Sequence, residues 1–462
     1  MSFATNKILL LFFCVLFLSS NAQNEFKTFT KSDGLTSSNI LFTHVDTKGI
    51  IWATTSSGVN AFTGKKWVSI KSITDNDGRE RILGKVLKVF ETKNGELWIA
   101  TEKGMFHYNR QYWTHYSDHE NRDFHVVNIF EDHRGFIWVM IEKSNGIKDV
   151  GEVGFSIAEG RLQMFNGSQW FDFPGMIGGT AAVKVGEPLD YFTSIMQDTK
   201  ENIWVTSLDG LYLYDGRSWT EFDREVLPTD KCYKVIETFD SVIWVATSSG
   251  IAKQDGDKWI KYEKVKGIKD NLTYDLIEDS KNRLWAFTRK DHKFKALCFY
   301  ENDKWESCFN NDIHIKGEVS QLFEYNDKIL AFSNKGISLF DEGKWNSLEV
   351  IYKFNDDNFS EIIKAKDNSF WFTTQTGLYH LNDNMKKEYS STSKWKTNSL
   401  FEASNGDIWV GTDKNGVYKI NESGSTNYTV SNGLKDNHIN EIFEDSRKNI
   451  WIVTRNGISK FN

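Results

Sequence analysis

The sequence is poor in residues that would cross-link the chain or interrupt its strands. It contains 4 cysteines and 3 prolines in 462 residues. Scarce proline leaves backbone N–H groups available for pairing, as a chain of hairpins requires. Cys298 and Cys308 flank a predicted turn, so a cross-strand disulfide is one alternative and two buried thiols the other. Cys232 is expected to be a small core residue.

No charge of one sign dominates, and signatures of bound groups are missing. The net charge is −7 with both signs interspersed, which argues against nucleic acid as a partner. The sequence has no H-E-x-x-H, C-x-x-C or G-x-x-x-x-G-K-[ST], and the glycines of 175–179 are spaced wrongly for a dinucleotide turn. We therefore expect no cofactor and no metal. His115, His119 and His125 are interpreted as part of a solvated loop, with a metal or acid–base role as the alternative.

Long apolar runs are missing except at the N-terminus. Residues 8–18 form an apolar run of eleven after Lys7, with small residues at Ser20 and Ala22. This pattern predicts a signal peptide over residues 1–22, cleaved after Ala22, because the run is too short for a comfortable membrane span. The mature chain, residues 23–462, is expected to be periplasmic or secreted, with no membrane span after cleavage.

Tryptophan is abundant, and its spacing is regular. Neighbouring repeats mostly lie 38 to 46 residues apart, with one gap of 66. A β-rich unit with this period is typical of a propeller. A tenth copy, Ile329-Leu330-Ala331, keeps the surroundings but lacks the Trp. The other nine copies are Ile51-Trp52, Leu97-Trp98, Ile137-Trp138, Ile203-Trp204, Ile243-Trp244, Leu284-Trp285, Phe370-Trp371, Ile408-Trp409 and Ile450-Trp451.

Each repeat reads as four strands. An alternating inner strand, a turn and the Trp strand are followed by a third strand after a Thr/Ser…Gly pair, and a second Trp opens the fourth. The chain ends on a third strand, 457–461, and the mature chain begins with a fourth, 25–29. The sequence therefore predicts an all-β protein: a β-propeller of four-stranded antiparallel blades with about ten repeats. We expect one closed ring, because pairing the two ends hides open edges; two smaller propellers are the alternative.

Turn residues recur at fixed positions in these repeats. Gly or Asn at such positions suits a positive φ; these residues are Gly49, Gly95, Gly135, Asn282, Asn368 and Gly406. Glu-Asp pairs also recur just before the turn. Their recurrence favours a role at strand ends over one as paired catalytic carboxylates.

The repeats resemble those of the two-component regulator propeller family. Glu278-Asp279 through Trp285 and Glu444-Asp445 through Trp451 follow that family's E-D…I-W pattern, and Asn432-Gly433-Leu434 with Asn437 follows its D-G-L-x-x-N pattern. The resemblance implies a periplasmic sensor propeller of the kind found in hybrid sensor kinases, many of which respond to polysaccharide fragments. The sequence shows no Tyr-rich sandwich domain, transmembrane helix, kinase, receiver or helix-turn-helix segment, so we expect a free-standing exported propeller.

Two insertions account for the gap of 66 residues. Residues 142–159 expand a loop between second and third strands, and 173–189 expand a loop between fourth and first strands. Both kinds of loop emerge on one face of a propeller, so we predict ligand binding there, around the central channel. The candidate side chains suit a hydroxyl-rich ligand; they are Asp33, Asn39, Asn121, Arg122, His125, Asn271, Tyr274, Asp436, Asn437 and His438.

Three functions remain open at this point. The first is a non-enzymatic exported sensor that binds a glycan fragment, another small ligand, or a membrane or periplasmic protein. The second is a propeller lyase or hydrolase with its site at the channel mouth, which would show convergent titratable groups with perturbed pKa values. The third is a protein-binding scaffold at the cell surface, which would show a broad exposed apolar patch. We favour the first, and therefore expect no enzymatic activity.

Overall fold

The computed structural model describes most of the chain beyond residue 25. All elements within the described residues are β-strands except two short 3-10 helices, Lys31–Asp33 and Val430–Asn432. The described residues are 26–116, 125–150, 153–173, 180–184, 192–263, 272–290, 293–307, 319–333, 336–342, 344–347, 361–374, 377–382, 388–389 and 396–461.

Ten sheets follow one another along the chain, and each contributes one blade. The first strand, β1 (Phe26–Phe29), belongs to the last blade. Blade 1 comprises β2 (Phe42–Val45), β3 (Ile51–Thr55), β4 (Gly58–Phe62) and β5 (Trp67–Ile70), and the separate hairpin of β6 (Ser72–Thr74) and β7 (Glu80–Ile82) follows it. Blade 2 comprises β8 (Val86–Glu91), β9 (Leu97–Thr101), β10 (Gly104–Tyr108) and β11 (Trp113–Tyr116); blade 3 comprises β12 (His125–Glu131), β13 (Ile137–Val150), β14 (Val153–Phe165), β15 (Trp170–Asp172) and the added β16 (Thr180–Lys184). Blade 4 comprises β17 (Phe192–Gln197), β18 (Ile203–Ser207), β19 (Leu211–Tyr214) and β20 (Trp219–Phe222); blade 5 comprises β21 (Cys232–Glu237), β22 (Ile243–Thr247), β23 (Gly250–Asp255) and β24 (Lys258–Tyr262).

Blades 6 to 10 repeat the same order. They comprise β25 (Thr273–Glu278), β26 (Leu284–Lys290), β27 (Lys293–Glu301), β28 (Lys304–Ser307); β29 (Val319–Tyr325), β30 (Lys328–Ser333), β31 (Gly336–Asp341), β32 (Lys344–Ser347); β33 (Glu361–Lys364), β34 (Phe370–Thr374), β35 (Gly377–Leu381), β36 (Glu388–Tyr389); β37 (Thr397–Glu402), β38 (Ile408–Thr412), β39 (Val417–Asn421), β40 (Gly424–Tyr428); and β41 (Ile439–Glu444), β42 (Ile450–Thr454) and β43 (Gly457–Phe461).

The last blade is completed by the beginning of the chain. β1 pairs antiparallel with β43, from Phe26 opposite Phe461 to Phe29 opposite Ile458. The predicted pairing of the two ends is therefore confirmed. Ten buried apolar clusters lie between successive blades, and blade 10 packs against blade 9 and blade 1 alike. The fold is one closed ten-bladed ring, and the alternative of two smaller propellers is wrong.

Tryptophans fill the wedges between blades, as their spacing predicts. The Trp of a second strand meets the Trp of the next blade's fourth strand edge to face, an arrangement that aromatic rings prefer. Trp98 and Trp170 are one such pair, with centroids 5.8 Å apart and planes at 88°. Trp285 and Trp345, 5.9 Å apart, are another. Leu330 takes the Trp position in blade 7 and is fully buried.

The Thr/Ser…Gly pair between second and third strands has a clear mechanical role. The hydroxyl of Thr247 donates to the carbonyl of Gly250 over 2.9 Å and closes the turn. Gly250 has φ 138°, and a Cβ there would lie 2.3 Å from the carbonyl oxygen of Tyr262 on the fourth strand. Only glycine fits that approach without strain. The expected positive φ values at turn positions such as Gly95 and Asn282 are also confirmed.

Candidate functional site

Two faces of the ring differ in the loops they carry. We define the upper face as the face that carries the connections from fourth to first strands and from second to third strands. The lower face carries the turns from first to second strands and from third to fourth strands. On the upper face of blade 3, β13 and β14 extend into a long hairpin, and β16 pairs with β14 from Phe155–Lys184 to Glu159–Thr180. The two insertions predicted from the sequence are thus joined in one sheet.

Asp33 and Asn437 lie in two equivalent upper-face loops, where each stabilises its own loop. The Asp33 carboxylate accepts the backbone N–H of Thr30 over 2.8 Å and the Thr30 hydroxyl over 3.0 Å, capping the first 3-10 helix. Asn437 Oδ1 accepts the N–H of Val430 over 2.9 Å, and Ser38 makes the matching contact with Lys31. These two side chains hold the loops in shape.

Asp436, His438 and Asn39 lie in the same two loops. His438 Nδ1 is 2.8 Å from Asp413 Oδ1, so the blade 10 loop contacts the second-to-third strand loop of blade 9. Asp436 Oδ1 accepts the backbone N–H of His438, and Oδ2 accepts from Asn456. Asn39, which occupies the position of His438 in the equivalent loop, is exposed.

The remaining candidate residues fall on other blades. Tyr274 stacks on Tyr233 of the preceding blade, with ring centroids 4.5 Å apart. His125 begins β12, opposite Glu142. Asn121, Arg122 and Asn271 lie outside the described residues, as do Cys308 and therefore the disulfide alternative. Cys232 is fully buried in the cluster between blades 4 and 5, as expected.

A polar ring runs along the inner strands. The first strands of successive blades contact each other at five junctions, between blades 2 and 3, 4 and 5, 5 and 6, 8 and 9, and 9 and 10, as expected for the strands that line the channel. In each blade, one first-strand residue pairs with the residue two places after the second-strand Trp, or after Leu330 in blade 7. This first-strand residue is polar in nine of the ten blades. We call these ten positions the inner ring: Phe42, Lys88, Asn128, Ser194, Lys234, Asp275, Gln321, Glu361, Ser399 and Glu441.

Inner-ring side chains reach across to the next blade. Lys88 Nζ donates to Asn128 Oδ1 over 2.8 Å. Ser399 Oγ accepts the backbone N–H of Ile442 over 3.1 Å. Glu361 accepts a backbone N–H from Leu400. The inner ring is therefore a belt of polar contacts between blades at the channel wall.

Burial shifts the titration of three inner-ring groups. It raises the pKa of Glu361 to about 7, and the backbone hydrogen bond from Leu400 only partly offsets this. Burial also raises the pKa of Glu441, against hydrogen bonds from Thr43, and lowers the pKa of the Lys88 ammonium. In each case the charged form is disfavoured away from water.

Sequence reasoning missed the inner ring, although a signal was present. In the nine repeats that keep the Trp, the inner-ring residue stands ten positions before it, as Lys88 does before Trp98. A polar residue that recurs at the same distance from the Trp, within a strand that is otherwise partly apolar, indicates a position where the usual preference for apolar side chains does not hold.

The recurring Glu-Asp pairs form a lower-face network, in line with the expectation that they are strand-end residues. The Asp accepts the indole N–H of its own blade's Trp, as Asp279 does from Trp285 over 2.7 Å. The Glu accepts a turn N–H of the preceding blade, as Glu278 does from Phe239 over 2.7 Å. Gln197 replaces Glu in one such contact. Each pair thus joins its own turn to the neighbouring blade.

Two cavities open between blades on the lower face. One, of about 240 Å³, lies between blades 10 and 1 and is lined by Lys48, Arg447 and Lys460 together with Asp445. The other, of about 330 Å³, lies between blades 2 and 3 and is lined by Trp98, His107 and two glutamates. The upper face was the expected site of binding, so these grooves were not anticipated from the sequence.

Within the described residues, no cluster of three or more His, Cys, Asp and Glu side chains could hold a metal ion. The same part of the chain contains no helix long and apolar enough to cross a membrane.

Comparison with known proteins identifies one repeat. Residues 433–456 match the model of the two component regulator propeller family, which confirms the resemblance in blade 10. Histidine kinase P4 of Formosa agariphila is 35% identical over 80 residues, which cover 15% of this chain and 6% of that kinase. The matched segment is thus a small part of a much longer protein.

Similar solved structures include an extracellular domain of a two component system and a lyase. The extracellular domain of a hybrid two component system from B. thetaiotaomicron is 20% identical, covering 94% of this chain and 64% of its own, with a TM-score of 0.28. A streptogramin B lyase is 16% identical, covering 59% and 93%, with a TM-score of 0.32. Likeness at these levels assigns no activity.

Proposed function

We propose that this chain is an exported, non-enzymatic recognition propeller of the sensor type, which binds a hydroxyl-rich ligand such as a glycan fragment on its upper face. The observation that carries the proposal is the asymmetry of blade 3. Among the described residues nine blades have four strands, whereas in blade 3 two insertions join and add a fifth strand. Loops held by rigid strands are the usual place for binding residues.

Polar residues in other upper-face loops suit such a ligand. Asn39, Asp436 and His438 lie in the loops that lead into blades 1 and 10, and the inner ring adds further polar groups. The match of residues 433–456 to the two component regulator propeller family supports a role in sensing. The apolar run of residues 8–18 supports export.

A screen of polysaccharide fragments by thermal shift tests the proposal. We expect at least one fragment to raise the melting temperature of the full chain, and the double variant Asn39→Ala/His438→Ala to lose most of that rise. Lys65→Ala, in an exposed lower-face turn, is the control and should keep it. If no fragment stabilises the protein, or if the double variant responds as the native chain does, the proposal fails.

Export has its own test. We expect protein recovered outside the cytoplasm to begin at Gln23. An unprocessed chain that begins at Met1 and stays in the cytoplasm would contradict this part.

Catalysis is the second candidate, because the inner ring holds two carboxyls, Glu361 and Glu441, whose pKa values are raised by burial. Both accept hydrogen bonds from the next blade, so a role in joining blades accounts for them. The exposed apolar side chains Phe239, Ile82 and Val430 lie on separate elements, which gives less support to a scaffold with one broad apolar patch. Chromatography of polysaccharide fragments incubated with the protein distinguishes catalysis from binding alone. Cleavage of a fragment that Glu361→Gln abolishes would favour catalysis.

A further inference from the structure

One side-chain contact joins most neighbouring blades on the lower face, and blade 1 lacks it. In blade 1 the position is Val45, whose side chain has no acceptor for the N–H of Ser446 in the turn of blade 10. At the other exception, Lys364 of blade 8 donates across the junction instead. At the remaining eight junctions a Glu or Gln near the end of the first strand accepts a turn N–H of the preceding blade; these residues are Glu91, Glu131, Gln197, Glu237, Glu278, Glu324, Glu402 and Glu444.

The groove at this junction, between blades 10 and 1, is rich in positive charge. Lys48, Arg447 and Lys460 line its volume of about 240 Å³. Lys48 and Arg447 are exposed and Lys460 is partly buried, so a ligand can reach all three side chains. Asp445, also in the lining, already accepts hydrogen bonds from the backbone of its own turn and from the indole of its own blade. Within the described part of the chain, none of the three cations forms an ion pair.

Arg447 reaches across the junction. A Cβ added to Gly64, in the third-to-fourth strand turn of blade 1, would lie 3.4 Å from Nη1 of Arg447. At the junction of blades 1 and 2, Arg110 occupies the position of Gly64, and its Nη2 is 2.9 Å from Oε1 of Glu91. Both junctions thus place a guanidinium beside this turn. Among the described residues, only Arg110 of the two finds a carboxylate partner in the chain itself.

The equivalent groove between blades 2 and 3 has the opposite charge. Its lining includes Glu96 and Glu131, and Glu131 is the acceptor of that junction, which binds the N–H of Lys93 over 2.7 Å. No Lys or Arg of the described residues lines this groove. With Val45 in place of the Glu, and with basic residues around it, the groove between blades 10 and 1 can instead receive a carboxylate from a ligand.

The chemistry of the lining selects a class of ligand. A planar carboxylate matches the paired N–H groups of a guanidinium, and such charged hydrogen bonds are the strong ones. Thr63 and Asn449 in the lining offer partners for hydroxyl groups. The volume exceeds that of a carboxylate alone but lies below the usual range for drug-sized ligands, so it suits one small organic acid. We propose that the groove between blades 10 and 1 binds a small hydroxylated carboxylate, such as one sugar acid unit, with its carboxylate bound by Arg447 and balanced by Lys48 and Lys460.

Calorimetric titration at low ionic strength tests this site, which lies on the lower face and does not depend on the proposed upper-face site. The full chain carries Asn39→Ala/His438→Ala in every titration, so that the upper face does not contribute. We expect glucuronate and galacturonate to bind, and uncharged glucose to bind at least tenfold more weakly. Adding Lys48→Gln/Arg447→Gln should weaken the binding of both acids at least tenfold. Arg217→Gln, in an exposed lower-face turn of blade 4, is the control and should leave it unchanged.

A second variant uses the chain's own solution at the other junctions. Val45→Glu supplies the carboxylate that seven other blades carry, so it should compete with the ligand and weaken the binding of both acids at least tenfold. If Val45→Glu lowers the melting temperature, Lys48→Gln/Arg447→Gln decides the question, because it changes only exposed side chains.

Three results would overturn the inference. The first is that neither acid binds, and the second is that Lys48→Gln/Arg447→Gln binds them as the parent chain does. The third is that sulfate or phosphate displaces the acids at equal concentration, since a patch of positive charge without selectivity for carboxylates would behave in this way. None of these results affects the thermal-shift screen of the upper face, so the two proposals fail separately.

Discussion

At the scale of single residues, one aspartate determines how a whole turn is organised. Asp198 accepts the backbone N–H groups of Lys200 and Asn202 through Oδ1 and the indole N–H of Trp204 through Oδ2. The carboxylate, which is itself buried, thus satisfies these three donors and also accepts from the side-chain amide of Asn202. The same side chain positions the tryptophan that fills the wedge between blades 4 and 5.

Replacing this carboxylate should be costly. We expect Asp198→Ala to lower the free energy of unfolding by about 2 to 4 kcal/mol, because it leaves buried donors unsatisfied. Asp215 makes two similar backbone contacts in an exposed turn without a Trp partner, so Asp215→Ala is the matched control and should cost less. Urea unfolding of both variants measures the difference; equal losses would contradict this role of the Asp–Trp contact.

Glu361 should make stability depend on pH. Its pKa is raised to about 7 by burial, so ionisation penalises the folded state, and this contribution to stability falls as pH rises from about 4.3 towards 7. Glu361→Gln should therefore gain stability over the native chain, on the order of 1 to 2 kcal/mol, between pH 5 and pH 8. Melting temperatures across that range, with exposed Glu225→Gln as the control for one lost charge, measure it. If the difference in melting temperature between Glu361→Gln and the native chain stays the same across this pH range, the raised pKa of Glu361 is contradicted.

At the scale of the strand pair, close backbone approach makes the glycine of the Thr/Ser…Gly pair necessary. Gly250→Ala should lower the free energy of unfolding by at least about 2 kcal/mol, since its Cβ would meet the Tyr262 carbonyl. Gly256, in the next turn of the same blade, has φ 60° and open space around it. Gly256→Ala should cost about 1 kcal/mol. Thermal unfolding of the two variants should show this order, and the reverse order would refute it.

The features of the fold that we predicted correctly from the sequence are those that repeat from blade to blade. Indole spacing, turn glycines and the Thr/Ser…Gly pair recur in many blades, so one correct blade predicts the others. The hairpin of β6 and β7 was missed because it lies in a single connection. The groove between blades 2 and 3 was missed because its lining comes from two blades, and the sequence of one repeat does not show how it meets the next.

The candidate binding residues illustrate a second limit. Asp33 and Asn437 were chosen for their polarity and their place in a loop, and both cap or close that loop. Sequence alone does not reveal whether a loop side chain faces its own backbone or a ligand. Asn39 and His438, which occupy equivalent positions in the same pair of loops, are therefore the better probes of the upper face.

At the scale of the whole molecule, stability depends on closure. Each blade buries its two faces against its neighbours, and blade 10 exists only if β1 pairs with β43. Phe26 and Phe29 place one aromatic ring in each of the clusters that flank blade 10. We expect Phe26→Ala/Phe29→Ala to lower the melting temperature of the whole protein in one transition, because buried Phe→Ala changes typically cost 3 to 5 kcal/mol each. Calorimetry would show it; melting of a separate small unit would contradict it.

The most direct test of the single closed ring joins its two ends covalently. Lys27 lies opposite Lys460 in the β1–β43 pair, and the Cα separation of antiparallel partners suits a disulfide. Under mild oxidation, Lys27→Cys/Lys460→Cys should form an intramolecular disulfide in the monomer, detected by peptide mass spectrometry, and should melt at a higher temperature. Lys27→Cys/Lys258→Cys, with the second cysteine on blade 5, should not. A bond that forms only between molecules, or not at all, would contradict the ring.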